Sequence, residues 1–184
     1  MQLSELNVGL IFGTDTGNTE DVGTRIQTEM QKHGVEVELI NITEASPEVC
    51  ETYDFLIFGI PTWDFGGIQQ DWEEAEETFL TANLTGKIAA LYGLGDQFGY
   101  GDFFLDAMGW LHERVVKTGA TVIGFWPTEG YEFTESQAVN DEKTEFCGLA
   151  IDEDQQFELT DERISKWVEQ LVNECAELLQ ELSA

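Results

Sequence analysis

Strand-like apolar runs alternate with segments of helical periodicity along this chain, and that alternation narrows the fold more than any other feature. The runs are "LNVGLIF" (6–12), "VEVELIN" (35–41), "YDFLIFGI" (53–60), "KIAALYG" (87–93) and "TVIGFW" (121–126). The first, third and fourth are nearly continuous in apolar residues, as expected of strands covered on both faces. Between them, Val22, Ile26 and Met30 recur every four residues and predict a helix over 19–32. Trp72, Ala75, Glu76 and Phe79 predict a weaker helix, and Ala107, Met108, Leu111 and Val115 a third. The last pattern is the strongest: Ile164, Trp167, Val168, Leu171, Val172, Cys175, Leu178, Leu179 and Leu182. Thr160 is its expected N-cap, with Asp161 and Glu162 in the first turn. Strands and helices in alternation imply a doubly wound α/β fold: a five-stranded parallel sheet with right-handed crossovers and helices on both faces.

One region breaks the rhythm. After Trp126-Pro127 comes the polar and aromatic stretch "TEGYEFTESQAVNDEKTEF", followed by the apolar run "FCGLAI" (146–151). We read this as a fifth strand split by an insertion, within a single domain over 1–184. The 184 residues suffice for one domain burying roughly 70% of its unfolded surface.

The charge excludes some partners. Thirty-seven acidic residues face 8 basic ones, a formal net charge of -29. Nucleic acid and anionic membrane would both be repelled, whereas a positively charged protein would be attracted. No window has the roughly 18 apolar residues of a membrane span, and the N-terminal stretch lacks the basic start of a signal peptide. Cys50, Cys147 and Cys175 are odd in number and far apart, so neither a disulfide framework nor a zinc site is indicated. A reducing compartment, the cytoplasm, is expected.

The segment "GTDTGNTE" (13–20) follows the first strand and opens the first helix. In an open parallel sheet, ligands sit beyond the carboxyl ends of the strands. A helix start has unpaired N–H groups and a partial positive charge. Thr14, Thr16 and Thr19 add hydroxyl donors, Asn18 an amide, and Gly17 lets the backbone come close. Such a loop surrounds a phosphate with neutral dipoles. It is not a P-loop, because Asn18 stands where the lysine belongs, and not a G-x-G-x-x-G fingerprint. Phosphoryl transfer would demand Lys, Arg or Mg²⁺, so a cation-free cradle suits a phosphate that anchors rather than reacts.

Two further loops rise from the same edge: "PTWDFGGIQQDW" (61–72) and "GLGDQFGYGDFFLDA" (93–107). Each sets an aromatic beside glycines, Trp63 in one and Tyr100 in the other, and such a pair can clamp a flat ring. The acidic "DED" (152–154) reads as a solvated turn.

These three segments, in this order and spacing, resemble those of flavodoxin, the FMN-carrying electron-transfer family and a standard example of strand order 2-1-3-4-5. The split fifth strand, "PTEGYEF" (127–133) and "GLAIDEDQQ" (148–156) are similar to the long-chain subgroup. The resemblance implies that Thr14, Asp15, Thr16, Gly17, Asn18 and Thr19 wrap the FMN phosphate. It implies that Thr62, Trp63, Asp64, Phe65 and Gly66 form the inner loop near the flavin N5. It puts Leu94, Gly95, Asp96, Gln97 and Tyr100 in the outer loop, with Tyr100 stacked on the ring, and it allows Asp152 and its neighbours to approach the rim of the site, although the solvated turn is the preferred reading there. Asn18 replaces a lysine found in some members, and Leu94 a hydroxyl residue found in others.

The implied function is a low-potential one-electron carrier, with tightly but non-covalently bound FMN cycling between semiquinone and hydroquinone. The implied partners are basic-surfaced redox proteins such as a ferredoxin–NADP reductase, photosystem I or nitrogenase, met by a monomer. The rivals are an FMN-dependent NAD(P)H reductase of a small acceptor, which needs room for nicotinamide over the flavin, and a binding module without flavin.

Overall fold

The computed structural model describes residues 2–183. Strand β1 (Val8–Phe12) is buried at every position, and β5 (Ile88–Leu94) likewise. Between them, β3 (Phe55–Trp63) is buried over its first seven residues. β2 (Val37–Asn41) is buried only at its start, as befits an edge strand. The helices are α1 (Asn18–Lys32), the short α2 (Pro47–Cys50), α3 (Gln70–Phe79), α4 (Asp106–Lys117) and α5 (Thr160–Ser183).

The sheet runs β2-β1-β3-β5-β6, with β6 being Thr121–Val122, and its principal ladders are parallel. This is the 2-1-3-4-5 order. Helices α1 and α5 pack together on one side, and Arg114 of α4 pairs with Glu76 of α3 on the other. The apolar stripes face the sheet: Val22, Ile26 and Met30 of α1, and Ile164, Trp167, Val168, Leu171, Cys175 and Leu179 of α5, are all buried. Among the described residues, no helix is long and apolar enough to cross a membrane.

The fifth strand is split, but not at the expected boundaries. Its first half stops at Val122 instead of Trp126. Ile123 N–H still reaches Ala89 O at 2.8 Å, and then α5 draws the chain off the sheet. Trp167 Nε1 donates to Gly124 O at 2.9 Å, and Gly124 N–H donates to a Glu174 carboxylate oxygen at 2.8 Å. Trp126 belongs instead to an antiparallel ribbon of β7 (Trp126–Pro127) and β8 (Glu145–Phe146) that closes the insertion. The second half, β9 (Leu149–Ile151), rejoins the sheet by pairing in parallel with Tyr92, Gly93 and Leu94 of β5. The insertion carries its own aromatic cluster, in which Phe146 packs on Phe104, Tyr131 and Phe133.

Thr160 is not an N-cap. It already has helical dihedrals, φ -59° and ψ -49°, because a 3-10 turn over Phe157–Leu159 leads into α5. Its hydroxyl donates to Glu153 at 3.0 Å rather than accepting from the helix.

Candidate cofactor site

The loop from β1 to α1 is built to leave donors free. Gly17 caps α1 in the left-handed region, φ +91°, and offers the helix no side-chain acceptor. Its own N–H donates to Thr14 Oγ1 at 2.9 Å. The first bond of the helix runs from Asp21 N–H to Gly17 O, so the amides of Asn18, Thr19 and Glu20 have no intrahelical partner. They point out of the positive end of the helix dipole. The cation nearest in sequence is Arg25, one turn further along α1. It is engaged by Asp21 at 2.8 Å, Glu153 at 3.2 Å and Asp161 at 3.4 Å. Tyr92 fixes the helix start from beneath, its buried hydroxyl donating to Thr19 O at 2.7 Å.

The second loop is a hairpin. β3 ends at Trp63, which pairs with Gly67 of β4 (Gly67–Ile68) across the three-residue turn 64–66. Asp64 and Gly66 both have positive φ, 43° and 83°. That is ordinary for glycine and uncommon for aspartate. Thr62 Oγ1 accepts from the Ala107 N–H at 3.1 Å, tying the loop to the start of α4. In the third loop Asp96 closes a tight turn. Its Oδ1 accepts from Phe98 N–H at 3.0 Å, Gly99 N–H at 2.7 Å and Gln155 Nε2 at 3.0 Å. Phe65 joins the two loops, stacking edge-on against Tyr100 at 5.9 Å and Phe103 at 5.6 Å between ring centroids.

These loops enclose a cleft of about 350 Å³, at the lower end of the roughly 300–1,000 Å³ typical of small-molecule sites. Of the residues singled out in the sequence, Thr14, Thr16, Asn18, Thr19, Thr62, Trp63, Asp64, Leu94, Gly95, Asp96 and Tyr100 line it. Asp15, Gly17, Phe65, Gly66 and Gln97 do not. Asp15 instead takes a hydrogen bond from Gln69 Nε2 at 3.1 Å. Phe65 is 78% exposed on the rim. Gln97 is turned inward and buried, its side chain bonded to Asp152 and Glu132.

Pro61, Glu153 and Asp154 complete the lining. The last two come from the acidic "DED" turn, where the solvated reading holds for exposed Asp154 and fails for Asp152. Asp152 is wholly buried. Its Oδ1 accepts from the N–H groups of Asp154 and Gln155, and its Oδ2 from the main chain and side chain of Gln97. The turn follows the carboxyl end of β9, so the rule that pointed to the other three loops points to it as well.

Four carboxylates, of Asp64, Asp96, Glu153 and Asp154, line the cleft. Burial pushes the Asp96 carboxyl up, but the N–H groups of Gly99, Gln155 and Phe98 together outweigh it and hold Asp96 below its ordinary value. Asp154 has no comparable donors. Burial, then Asp96 and Asp152, raise it. The neighbouring Asp64 carboxylate raises the Tyr100 phenol above its ordinary value.

A family model described as Flavodoxin matches residues 10–167. Flavodoxin 2 of Escherichia coli K12 is 50% identical over 173 residues, covering 94% of this chain and 98% of that one. A flavodoxin of Haemophilus influenzae is 44% identical, covering 91% of this chain and 94% of its own. Among solved structures, a Fusobacterium nucleatum flavodoxin bound to flavin mononucleotide superposes with a TM-score of 0.84 at 30% identity, covering 92% of this chain and 99% of that one. The strand order, the three loops at one sheet edge and these matches together place the chain in the flavodoxin family.

Proposed function

We propose that this chain is a low-potential one-electron carrier, an electron-transfer protein rather than an enzyme, with non-covalently bound FMN in the cleft. The observation that carries the reading is the cation-free helix start, whose unclaimed amides open into the same cleft that Trp63 and Tyr100 line. The donor set fits FMN. The amides at 18–20 and the hydroxyls of Thr14, Thr16 and Thr19 suit a phosphate. Trp63 and Tyr100 supply the aromatic surfaces a flat ring needs, and the buried Trp63 Nε1 has no acceptor in the protein.

When bound, FMN supplies a ring that accepts electrons one at a time. The residues set the energy of each charge state. The carboxylates of Asp64, Asp96, Glu153 and Asp154 line the cleft and oppose negative charge gained there. At ~4 Å and an effective dielectric near 20, one such charge costs about 4 kcal/mol before screening. The 64–66 turn offers backbone carbonyls as acceptors for a proton on the ring. Gly66 eases a change of peptide orientation there, because its backbone already occupies φ +83°.

The acidic surface fits basic redox proteins, such as a ferredoxin–NADP reductase, photosystem I or nitrogenase. It also fits work as a monomer, one domain over the whole chain, in a reducing compartment. Adding FMN to the apoprotein and titrating the product with reductant, followed by visible absorbance, tests the cofactor. A yellow protein reduced in two resolved one-electron steps is expected. A colourless product, or sustained NAD(P)H oxidation by the isolated protein, overturns the reading. Electron transfer to a basic partner should slow by at least ~10-fold from low salt to about 0.5 M. A flat salt profile refutes the electrostatic docking.

A further inference from the structure

Asp152 is a buried carboxylate that no loop motif in the sequence explains. It follows the last residue of β9 and is 0% exposed. Burying a charge is costly unless every lone-pair site finds a donor. Here each oxygen accepts two N–H bonds. Oδ1 takes Asp154 N–H at 3.1 Å and Gln155 N–H at 2.9 Å. Oδ2 takes Gln97 N–H at 3.0 Å and Gln97 Nε2 at 2.9 Å. One carboxylate therefore organises two loops. On one side it turns the chain so that Glu153 and Asp154 face the cleft. On the other it holds Gln97 by both main chain and side chain.

Gln97 sits at the second position of the turn that presents Tyr100. Tyr100 N–H closes that turn onto Asp96 O at 3.1 Å, and Gln155 Nε2 braces it from outside. Gln97 Oε1 in turn accepts from the Glu132 N–H, which links the same point to the insertion.

Resting on the FMN reading above, we infer that Asp152 is a positioning residue of the cofactor site, holding the 94–100 loop so that Tyr100 and Asp96 meet the ring at a fixed distance and angle. It touches no cleft volume itself and acts through Gln97. The chemistry requires a carboxylate. An asparagine has a single acceptor oxygen, and whichever way it turns, its NH₂ faces two N–H donors.

The test compares Asp152→Asn, Gln97→Ala and Leu179→Ala with wild type. Leu179 is buried in α5 outside the cleft, so its variant is a control for lost stability alone. Asp152→Asn should raise the FMN dissociation constant at least 10-fold and change the visible circular dichroism of the bound flavin. In the apoprotein, the amides of Phe98, Gly99 and Tyr100 should exchange at least 10-fold faster, with those of Val22–Met30 in α1 unchanged. Gln97→Ala should move the same readouts in the same direction by less, and serves as the test if Asp152→Asn does not fold. Leu179→Ala should lower the melting temperature without moving the dichroism. If the folded Asp152 or Gln97 variant lowers the melting temperature yet leaves dichroism and loop exchange at wild-type values, the inference is overturned. A wild type that stays colourless with FMN sinks the cofactor reading alone. The exchange rates, taken without flavin, then still decide whether Asp152 holds the loop.

Discussion

The two ends of the cleft are built from opposite materials. The end beside α1 carries no formal charge of its own on Thr14, Thr16, Asn18 or Thr19, and its donors are backbone amides and hydroxyls. The rest of the wall carries Asp64, Asp96 and Asp154, while Glu153 pairs with Arg25 of α1 and Asp152 lies buried outside the lining. On the proposed reading, the difference separates two tasks, holding a phosphate and opposing negative charge on a ring. A phosphate that only anchors can be held by fixed dipoles without a cation. A redox end needs a field that penalises added negative charge, and carboxylates in a partly desolvated wall provide it. Arg25, the cation nearest this loop in sequence, is shared among Asp21, Glu153 and Asp161, and it offsets part of the Glu153 charge.

The sharpest way to break this comparison is to remove the phosphate. If each first-turn amide bonded to phosphate contributes about 1.5–3 kcal/mol, riboflavin should bind ~1,000-fold or more weakly than FMN. Equilibrium fluorescence quenching measures this, and equal affinities would mean that the dipole end does not hold the ligand. A smaller effect is expected from the acidic end. Asp64→Asn with Asp96→Asn should raise the potential of the second electron. Exposure cuts the contact-distance figure to about 1 kcal/mol per carboxylate, or about 40 mV. An unchanged potential would leave the acidic wall without a redox role.

The smallest effect concerns the apoprotein and Asp154. Its carboxyl is raised by burial and by Asp96 and Asp152, so the folded state holds that proton more tightly than the unfolded chain does. Stability is therefore lost as pH rises through the carboxylate range and regained as it falls. Asp154→Asn should stabilise the apoprotein at pH 7 by about a few tenths of a kcal/mol, a figure discounted for its exposure. The gain should fade in acid, as urea melts at pH 7 and pH 4 would record. Asp96, held low by its N–H donors, has the opposite sign: its contribution is present at neutral pH and lost in acid.

Much of the fold was legible because its signals are local. Val22, Ile26 and Met30 repeat with the helical period whatever lies elsewhere, and continuous apolar runs mark buried strands. The "GTDTGNTE" loop was legible for the same reason: a helix start and its donors lie within one turn. The missed features depend on residues distant in sequence. Asp152 is 55 residues from Gln97, and nothing in "DED" distinguishes a buried carboxylate from a solvated one. Gln97 could face the cleft or the interior, and its bonds to Asp152 and to the Glu132 N–H hold it inward. The end of β6 at Val122 depends on Trp167 and Glu174 of α5 pulling at Gly124.

The order of residues alone determined the alternating α/β architecture, the split last strand, the cation-free donor loop and the aromatic pair at one edge. These follow from periodicity and from the dipole of a helix start, which act over a few residues. Tertiary structure decided which acids face the cleft, which one lies beneath it and which amide holds the outer loop. Burial and hydrogen-bond satisfaction are properties of a site assembled from several segments, so no single stretch of chain contains them.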